Sequence, residues 1–274
     1  MPKNDVAGRR PGRALLVAAL LPLLVAACHA SPRVDRVGST AGGAQPRASA
    51  AGAATGTPAG RGYLDRLPAF GTAPPAHPVA LPVGGGVPSF SRVPTDQPVA
   101  FITIDDGWVK HPRAEELLRA AHVPVTLFLT IDAIKDDPGY FARLRDAGAV
   151  IESHTMTHPR LAGRSYAFQR NEICGATDRL ADLYGRRPTL FRSPFGEQDA
   201  TTLRAVRDCG LKAALTWRES AFNGRMHYQE GRTVRPGDII LMHFRDQFVD
   251  DFIAILRAVK KSGLTPAALV DYLP

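Results

Sequence analysis

The stretch Val99-Ala100-Phe101-Ile102-Thr103-Ile104-Asp105-Asp106-Gly107 decides the reading of this chain. Its first six residues form a continuous β-prone run, the pattern of a strand covered on both faces. Two carboxylates follow at once. Adjacent acids behind an apolar run are costly unless each finds a partner, so this strand end is a candidate site. Downstream, strands and helices alternate. Residues 112–121 open with Pro, carry acids in the first turn and repeat apolar positions at helical spacing. Residues 123–129 read as a strand, 138–147 as a helix stopped by Gly148, and 149–151 as a short strand. A long amphipathic helix over 165–184 ends at Gly185. Strands are expected at 189–191, 212–216 and 239–242, and helices at 200–209 and 248–261. The repeated β-α order implies an α/β domain with a mostly parallel sheet over residues 96–274. About 180 residues suffice for one core.

The region upstream has a different character. Lys3, Arg9, Arg10 and Arg13 precede the uncharged stretch 14–27. That is the length of a signal-peptide core and is short of the ~20 residues of a membrane span. Cys28 follows Val25-Ala26-Ala27, which looks like the lipobox of bacterial lipoproteins and implies an acylated Cys28 at the outer face of the cell membrane. The alternative is an ordinary signal peptide cleaved near Ala30, giving a secreted protein. Residues 28–95 are dominated by Ala, Gly, Pro, Ser and Thr, a composition that buries too little apolar surface to offset its ordering entropy. They read as a flexible tether, with packing of 62–94 on the domain edge as the alternative. Three segments result: signal peptide 1–27, tether 28–95 and folded domain 96–274.

The chain has 274 residues and a formal net charge of +8, which invites a nucleic-acid reading. Residues 1–95 carry 10 basic and 3 acidic side chains, and residues 96–274 carry 24 and 23. The folded part is therefore close to neutral, and nucleic-acid binding is set aside.

Polar residues cluster where the apolar runs end, which is where α/β folds build their sites. Besides Asp105 and Asp106, the strand at 149 leads into Glu152-Ser-His154-Thr-Met-Thr-His158. The strand at 189 leads into Arg192-Ser-Pro-Phe195-Gly196, and the strand at 239 ends in His243. One carboxylate and two imidazoles make a three-ligand set with an open position, which suits a catalytic divalent metal.

The motifs Thr103-Ile-Asp-Asp-Gly107, His154-Thr-Met-Thr-His158, Arg192-Ser-Pro-Phe-Gly196 and Leu241-Met-His243, in this order and spacing, resemble the polysaccharide deacetylase family (NodB homology domain, carbohydrate esterase family 4). The resemblance covers residues 96–274. It implies a distorted (β/α) barrel of about seven parallel strands and metal-dependent removal of N- or O-linked acetyl groups from a polysaccharide such as peptidoglycan, chitin-like oligomers or acetylxylan. It implies Asp105 as catalytic base, Arg192 as the residue that orients it, and His243 as general acid. Asp106, His154 and His158 would hold the metal, with Zn expected and Co or Mn as alternatives. The backbone N–H of Phe195 would hold the oxyanion, while Trp217 and Leu241 would wall the acetyl pocket. The expected partners are the acetylated glycan and, through the lipid anchor, a membrane; the expected state is monomeric.

The chain departs from the family pattern at one place. The family carries an Asp motif that charges the acid histidine, and here Ser220 and Asn223 stand at the expected positions. Glu219 is a candidate substitute. Arg218 and Arg225 are open to two readings, contact with an acidic glycan or simple solvation. The missing motif also motivates an alternative function, a catalytically weak glycan-binding lipoprotein on the same scaffold. His111, His122 and His227 lie off the motif positions. Cys174 and Cys209 form either a disulfide, in an exported protein, or two buried thiols.

Overall fold

The computed structural model describes residues 62–82 and 86–274. The signal-peptide segment and Cys28 lie outside the described residues. Among the described residues no helix is long and apolar enough to cross a membrane.

The elements follow the expected alternation. They are β1 (Ser89–Phe90), β2 (Val99–Asp106), α1 (Ala114–Ala121), β3 (Val125–Leu129), α2 (Ile131–Ile134), α3 (Pro138–Asp146), β4 (Ala149–Ser153) and α4 (Tyr166–Tyr184). Then come β5 (Leu190–Phe191), α5 (Ala200–Asp208), β6 (Ala213–Leu215), β7 (Glu219–Phe222), β8 (Arg225–Tyr228), β9 (Ile239–His243), α6 (Phe248–Lys261), β10 (Thr265–Pro266) and α7 (Leu269–Tyr272). Local chemistry sets the boundaries. Ser165 caps α4 through the Phe168 N–H, Asp199 and Thr202 form a capping box on α5, and Gly185 closes α4 in the left-handed region.

The strands run in the order β1-β6-β5-β4-β3-β2-β9-β7-β8, with β10 beside β2. All pairs are parallel except the β7–β8 hairpin. Just past β1, Arg92 bridges to Asp238 beside β9, and the Val93 N–H donates to the Gly237 carbonyl at 2.8 Å. The sheet thus curls until the chain just past β1 meets the start of β9, giving a distorted barrel with the β7–β8 hairpin beyond the junction. Gly237 makes this closure: its φ is +81°, and a Cβ there would lie 2.1 Å from the Val93 carbonyl oxygen. The strand total exceeds the seven expected because the hairpin and short edge strands add to it.

Alternation along β2 sorts the side chains. Ala100, Ile102 and Ile104 face the helices, whereas Phe101 packs in a second cluster with Phe128, Leu215, Ile239 and Tyr272. Thr103 and Asp105 share the Phe101 face, so β2 carries its chemistry on the barrel interior.

The boundary expected at residue 96 moves upstream. Tyr63, Val87 and Val93 are buried, β1 pairs with β6, and the Val79 N–H donates to the Tyr272 carbonyl at 2.8 Å. Gln97 bonds the Pro75 carbonyl and accepts from the His77 N–H. Residues 62–82 and 86–95 are therefore a strap on the domain rather than part of a tether. A few well-placed apolar anchors and backbone bonds hold it, and average composition hides them. A disulfide joins Cys174 of α4 to Cys209 at the end of α5, resolving the cysteine alternatives.

Candidate metal and catalytic site

The strand ends bring Asp105, Asp106, His154, His158, Arg192 and His243 to one mouth of the barrel. Asp105 is paired in register with Phe128 of β3 on one side and with His243 of β9 on the other. Its carboxylate is buried and takes a 2.7 Å hydrogen bond from Nη1 of Arg192, which is itself fully buried. The same guanidinium donates to Thr103 Oγ1 and to the carbonyls of Leu215 and Thr216, and it lies over the Phe128 ring at 4.4 Å. Burial pulls the Arg192 pKa below its ordinary value, against the opposing pull of Asp105. A cation so enclosed is tolerated because its donors have acceptors.

Asp106, His154 and His158 meet beside this pair. Nε2 of His158 lies 3.1 Å and Nε2 of His154 3.3 Å from Oδ1 of Asp106. The three candidate ligand atoms all fall within 4.8 Å of one another. Oδ1 of Asp106 is buried and receives no hydrogen bond, so the convergence is not a closed hydrogen-bond network. Nδ1 of His154 sits 2.7 Å from the Arg192 carbonyl oxygen. Donation to that carbonyl leaves Nε2 with a free lone pair, the arrangement of a histidine metal ligand. Buried carboxylate oxygen, oriented imidazole and mixed N/O donors together fit a divalent metal. Burial tends to raise the Asp106 pKa, but the flanking histidines outweigh it and hold the carboxyl well below the usual range. Burial tends to lower that of His154, yet Asp106 and Asp105 bring it above its ordinary value.

The loops that present these groups are strained. Asp106, Thr155, His158 and Phe195 adopt φ of 73°, 74°, 61° and 62°, and such outliers concentrate at functional sites. Two devices hold the His154–His158 loop. Thr130 Oγ1 donates to the His154 carbonyl. Glu172 of α4 accepts from the N–H groups of Met156 and Thr157 at 3.0 and 2.9 Å and from Thr157 Oγ1. Sequence reading missed Glu172, since no local pattern links it to a loop 15 residues upstream. Gly107 sets the other side of the mouth: at φ +101°, a Cβ would strike Ile134 at 2.7 Å and Phe141 at 2.9 Å.

The remaining predicted residues gather at the same mouth. The Phe195 ring is exposed and packs against His158 at 4.9 Å. The Trp217 ring lies beside Gly196 and 5.9 Å from the Arg192 guanidinium. Leu241 is buried, in register with Thr103 of β2 and Ser220 of β7. Burial pushes the His243 pKa below its ordinary value, against the pull of Asp105 and Asp106. That is the direction expected of an imidazole without a dedicated carboxylate.

Glu219 does not supply one. It is in register with Ile240, which faces the helices, and its pKa is pushed up to about 8 by burial and by Asp238. Asp238 is in turn bonded by Arg92 and the Arg235 N–H. Ser220 takes the site-facing position. The β7–β8 hairpin also escapes a reading of the apolar runs, although its turn, Asn223-Gly224 with φ of 52° and 70°, is a strong hairpin signal. Arg218 pairs with Glu230, and His111 stacks on Phe248.

A curled parallel barrel with an Asp-His-His set beside an arginine-clamped carboxylate at its strand ends has the architecture of a metal-assisted hydrolase. The polysaccharide deacetylase family model matches residues 92–214. An uncharacterised protein of Streptomyces coelicolor is 38% identical over 192 residues, covering 68% of this chain and 77% of its own. The peptidoglycan-N-acetylmuramic acid deacetylase PdaA of Bacillus subtilis is 25% identical over 65% of this chain and 73% of its own. Among solved structures, a family 4 carbohydrate esterase pseudoenzyme of Bacillus anthracis superposes with a TM-score of 0.60 at 18% identity, covering 68% of this chain and 69% of that one. The chain belongs to the polysaccharide deacetylase family (NodB homology, carbohydrate esterase family 4), hydrolases of amide or ester bonds in polysaccharides.

Proposed function

We propose that this protein removes acetyl groups from an N-acetylated cell-envelope polysaccharide, with Asp105 as base and His243 as acid. The observation that carries the reading is the convergence of Asp106, His154 and His158 on one point, beside a buried Asp105 clamped by Arg192. Curated relatives are named as peptidoglycan and chitooligosaccharide deacetylases. A divalent metal in that set, Zn by donor chemistry, would polarise the acetyl carbonyl and acidify a water.

The chain's own groups do the rest. Arg192 fixes the Asp105 carboxylate in one orientation, from which it takes the water's proton. The Phe195 N–H, presented by the strained turn, would donate to the developing oxyanion, a contact type worth on the order of 3 kcal/mol. Trp217 and Leu241 wall the space for the methyl group. His243, cross-strand from Asp105, hands a proton to the departing nitrogen. Its depressed pKa makes the imidazolium a readier donor and confines that form to the acid side of neutrality.

The same reading places the protein outside the cytoplasm, held at the membrane surface by an acylated Cys28 and acting as a monomer. The lipobox-like Val25–Cys28 run and the Cys174–Cys209 disulfide support export, since disulfides persist in oxidising compartments. A Cys28→Ala chain is expected to leave the membrane fraction. Acetate release from peptidoglycan and chitooligosaccharides, measured on the purified protein, tests the activity. Release from wild type with at least about a hundredfold loss in Asp105→Asn is expected; equal rates for the two would reject the assignment.

A further inference from the structure

Glu152 of β4 is a fully buried carboxylate that the chemistry above leaves unused, two residues before His154. Register places it. Glu152 pairs with Phe128 of β3, which packs in the interior cluster, and residues two apart on a strand share a face. The side chain therefore enters the barrel interior one step below His154. Leu190 of β5 belongs to the same cluster and stands one step below Arg192. Glu152 and Leu190 thus underlie the two residues that anchor the metal set and the Asp105 clamp.

Little ladder joins these two strands. β4 and β5 pair at one position, Ser153 with Phe191. Three successive residues of β4 and its end complete the alignment. Oε2 of Glu152 accepts from the Thr189 N–H at 2.8 Å and the Leu190 N–H at 2.7 Å. The Ser153 carbonyl accepts from the Arg192 N–H at 3.0 Å. Nδ1 of His154 lies 2.7 Å from the Arg192 carbonyl oxygen. Glu152 thus does with its side chain what backbone carbonyls do along the other strands. Its second oxygen, Oε1, accepts from Nη2 of Arg186, in the turn that leads into β5. The same nitrogen donates to the Ile151 carbonyl at 2.8 Å.

A buried ion pair adds little stability over an apolar pair of the same volume. What this one supplies is direction, because it fixes where β5 begins against β4. Two residues further on, Arg192 delivers its guanidinium to Asp105 and its carbonyl to His154. We propose that Glu152 is a positioning residue: by gripping the Thr189 and Leu190 N–H groups it sets the placement of Arg192, and through Arg192 the orientation of both Asp105 and His154. The role of Asp105 rests on the deacetylase reading above, whereas that of His154 is read from metal binding alone. One outer carboxylate then governs base and metal ligand together, and a change to it should move both.

Glu152→Gln keeps the shape but turns an amide NH2 toward either the two backbone N–H groups or Arg186. Zinc affinity of the metal-stripped variant, read by competition against a chromogenic chelator, should fall at least about tenfold, and kcat on chitooligosaccharides about 10- to 100-fold with KM unchanged. In Glu152→Gln/Arg186→Met the amide is free to turn its oxygen to Thr189 and Leu190 and its NH2 to the Ile151 carbonyl, and most of both losses should be recovered. Arg186→Met alone changes an exposed side chain and is the milder probe, with about a threefold loss of zinc affinity. A lowered Tm with wild-type zinc affinity and kcat, measured well below that Tm, overturns the positioning role and leaves a structural one. A double variant no better than Glu152→Gln overturns it too, assigning the loss to charge rather than to the grip on β5. If wild type binds zinc but releases no acetate, the deacetylase reading fails, and the zinc affinities still decide the role of Glu152.

Discussion

The two walls of the site are fastened in different ways. On the β2–β4–β5 side, Asp105 is clamped by Arg192, His154 is fixed by the Arg192 carbonyl and Thr130, and the His158 loop is held by Thr155 and Glu172. On the β9–β7–β8 side, Phe222, Arg225, His227 and Arg245 are exposed, and among the described residues no carboxylate is hydrogen-bonded to His243, on whose charge Asp105 and Asp106 act from nearby. The first wall has the rigidity that proton transfer and metal binding demand. The second is open to solvent and carries exposed arginines.

If the first wall is rigid because its charges are mutually satisfied, removing the clamp should do the most damage. Arg192→Met leaves Asp105 buried without its partner. Activity should disappear, and unfolding free energy should drop by roughly 3–5 kcal/mol in a urea titration. A loss of activity with unchanged stability would show that the clamp is not structural.

A smaller effect is expected one layer back. Glu172→Gln keeps the shape but weakens the bonds from Met156 and Thr157, so zinc affinity should fall about 10- to 100-fold while the fold persists. Competition against a chromogenic chelator reads this directly. Metal loading should also decline on acidification. The His154 pKa is raised, so protons compete for Nε2 beginning above the ordinary histidine range.

The smallest effect belongs to Glu219, behind the second wall. Its folded pKa, about 8, stands above the ordinary 4.5. Its contribution to stability is therefore complete below 4.5 and lost as pH rises through 8. Glu219→Gln should flatten the alkaline fall of Tm between about pH 5 and 9 and leave acetate release almost unchanged. A variant with the wild-type slope would show that Glu219 does not set the alkaline fall of Tm.

The same division governs what the sequence reveals. The first wall is legible where its residues end buried apolar runs, so β2, β4 and β5 announce Asp105, His154 and Arg192 together. The second wall depends on cross-strand register. Ser220, Phe222 and Arg225 share a face only once β7 has paired with β8 and β9, and a run of mixed polarity hides both hairpin strands. Asn223-Gly224 was the available clue. Glu172 carries no local signature, because its partners lie on a loop far upstream. Tyr63 and Val93 are single anchors in a stretch whose average composition suggests a tether, yet each is buried. The pairing of Cys174 with Cys209 follows from how α4 lies on α5, which periodicity does not specify.

The central claim is that Asp106, His154 and His158 hold the metal on which deacetylation depends. It is tested most directly by measuring bound zinc and acetate release on the same sample, before chelation, after chelation and after zinc is returned. The account predicts about one zinc per chain in wild type, loss of zinc and activity together, recovery of both, and no recovery in His158→Ala. Full acetate release from the metal-stripped wild type would contradict it.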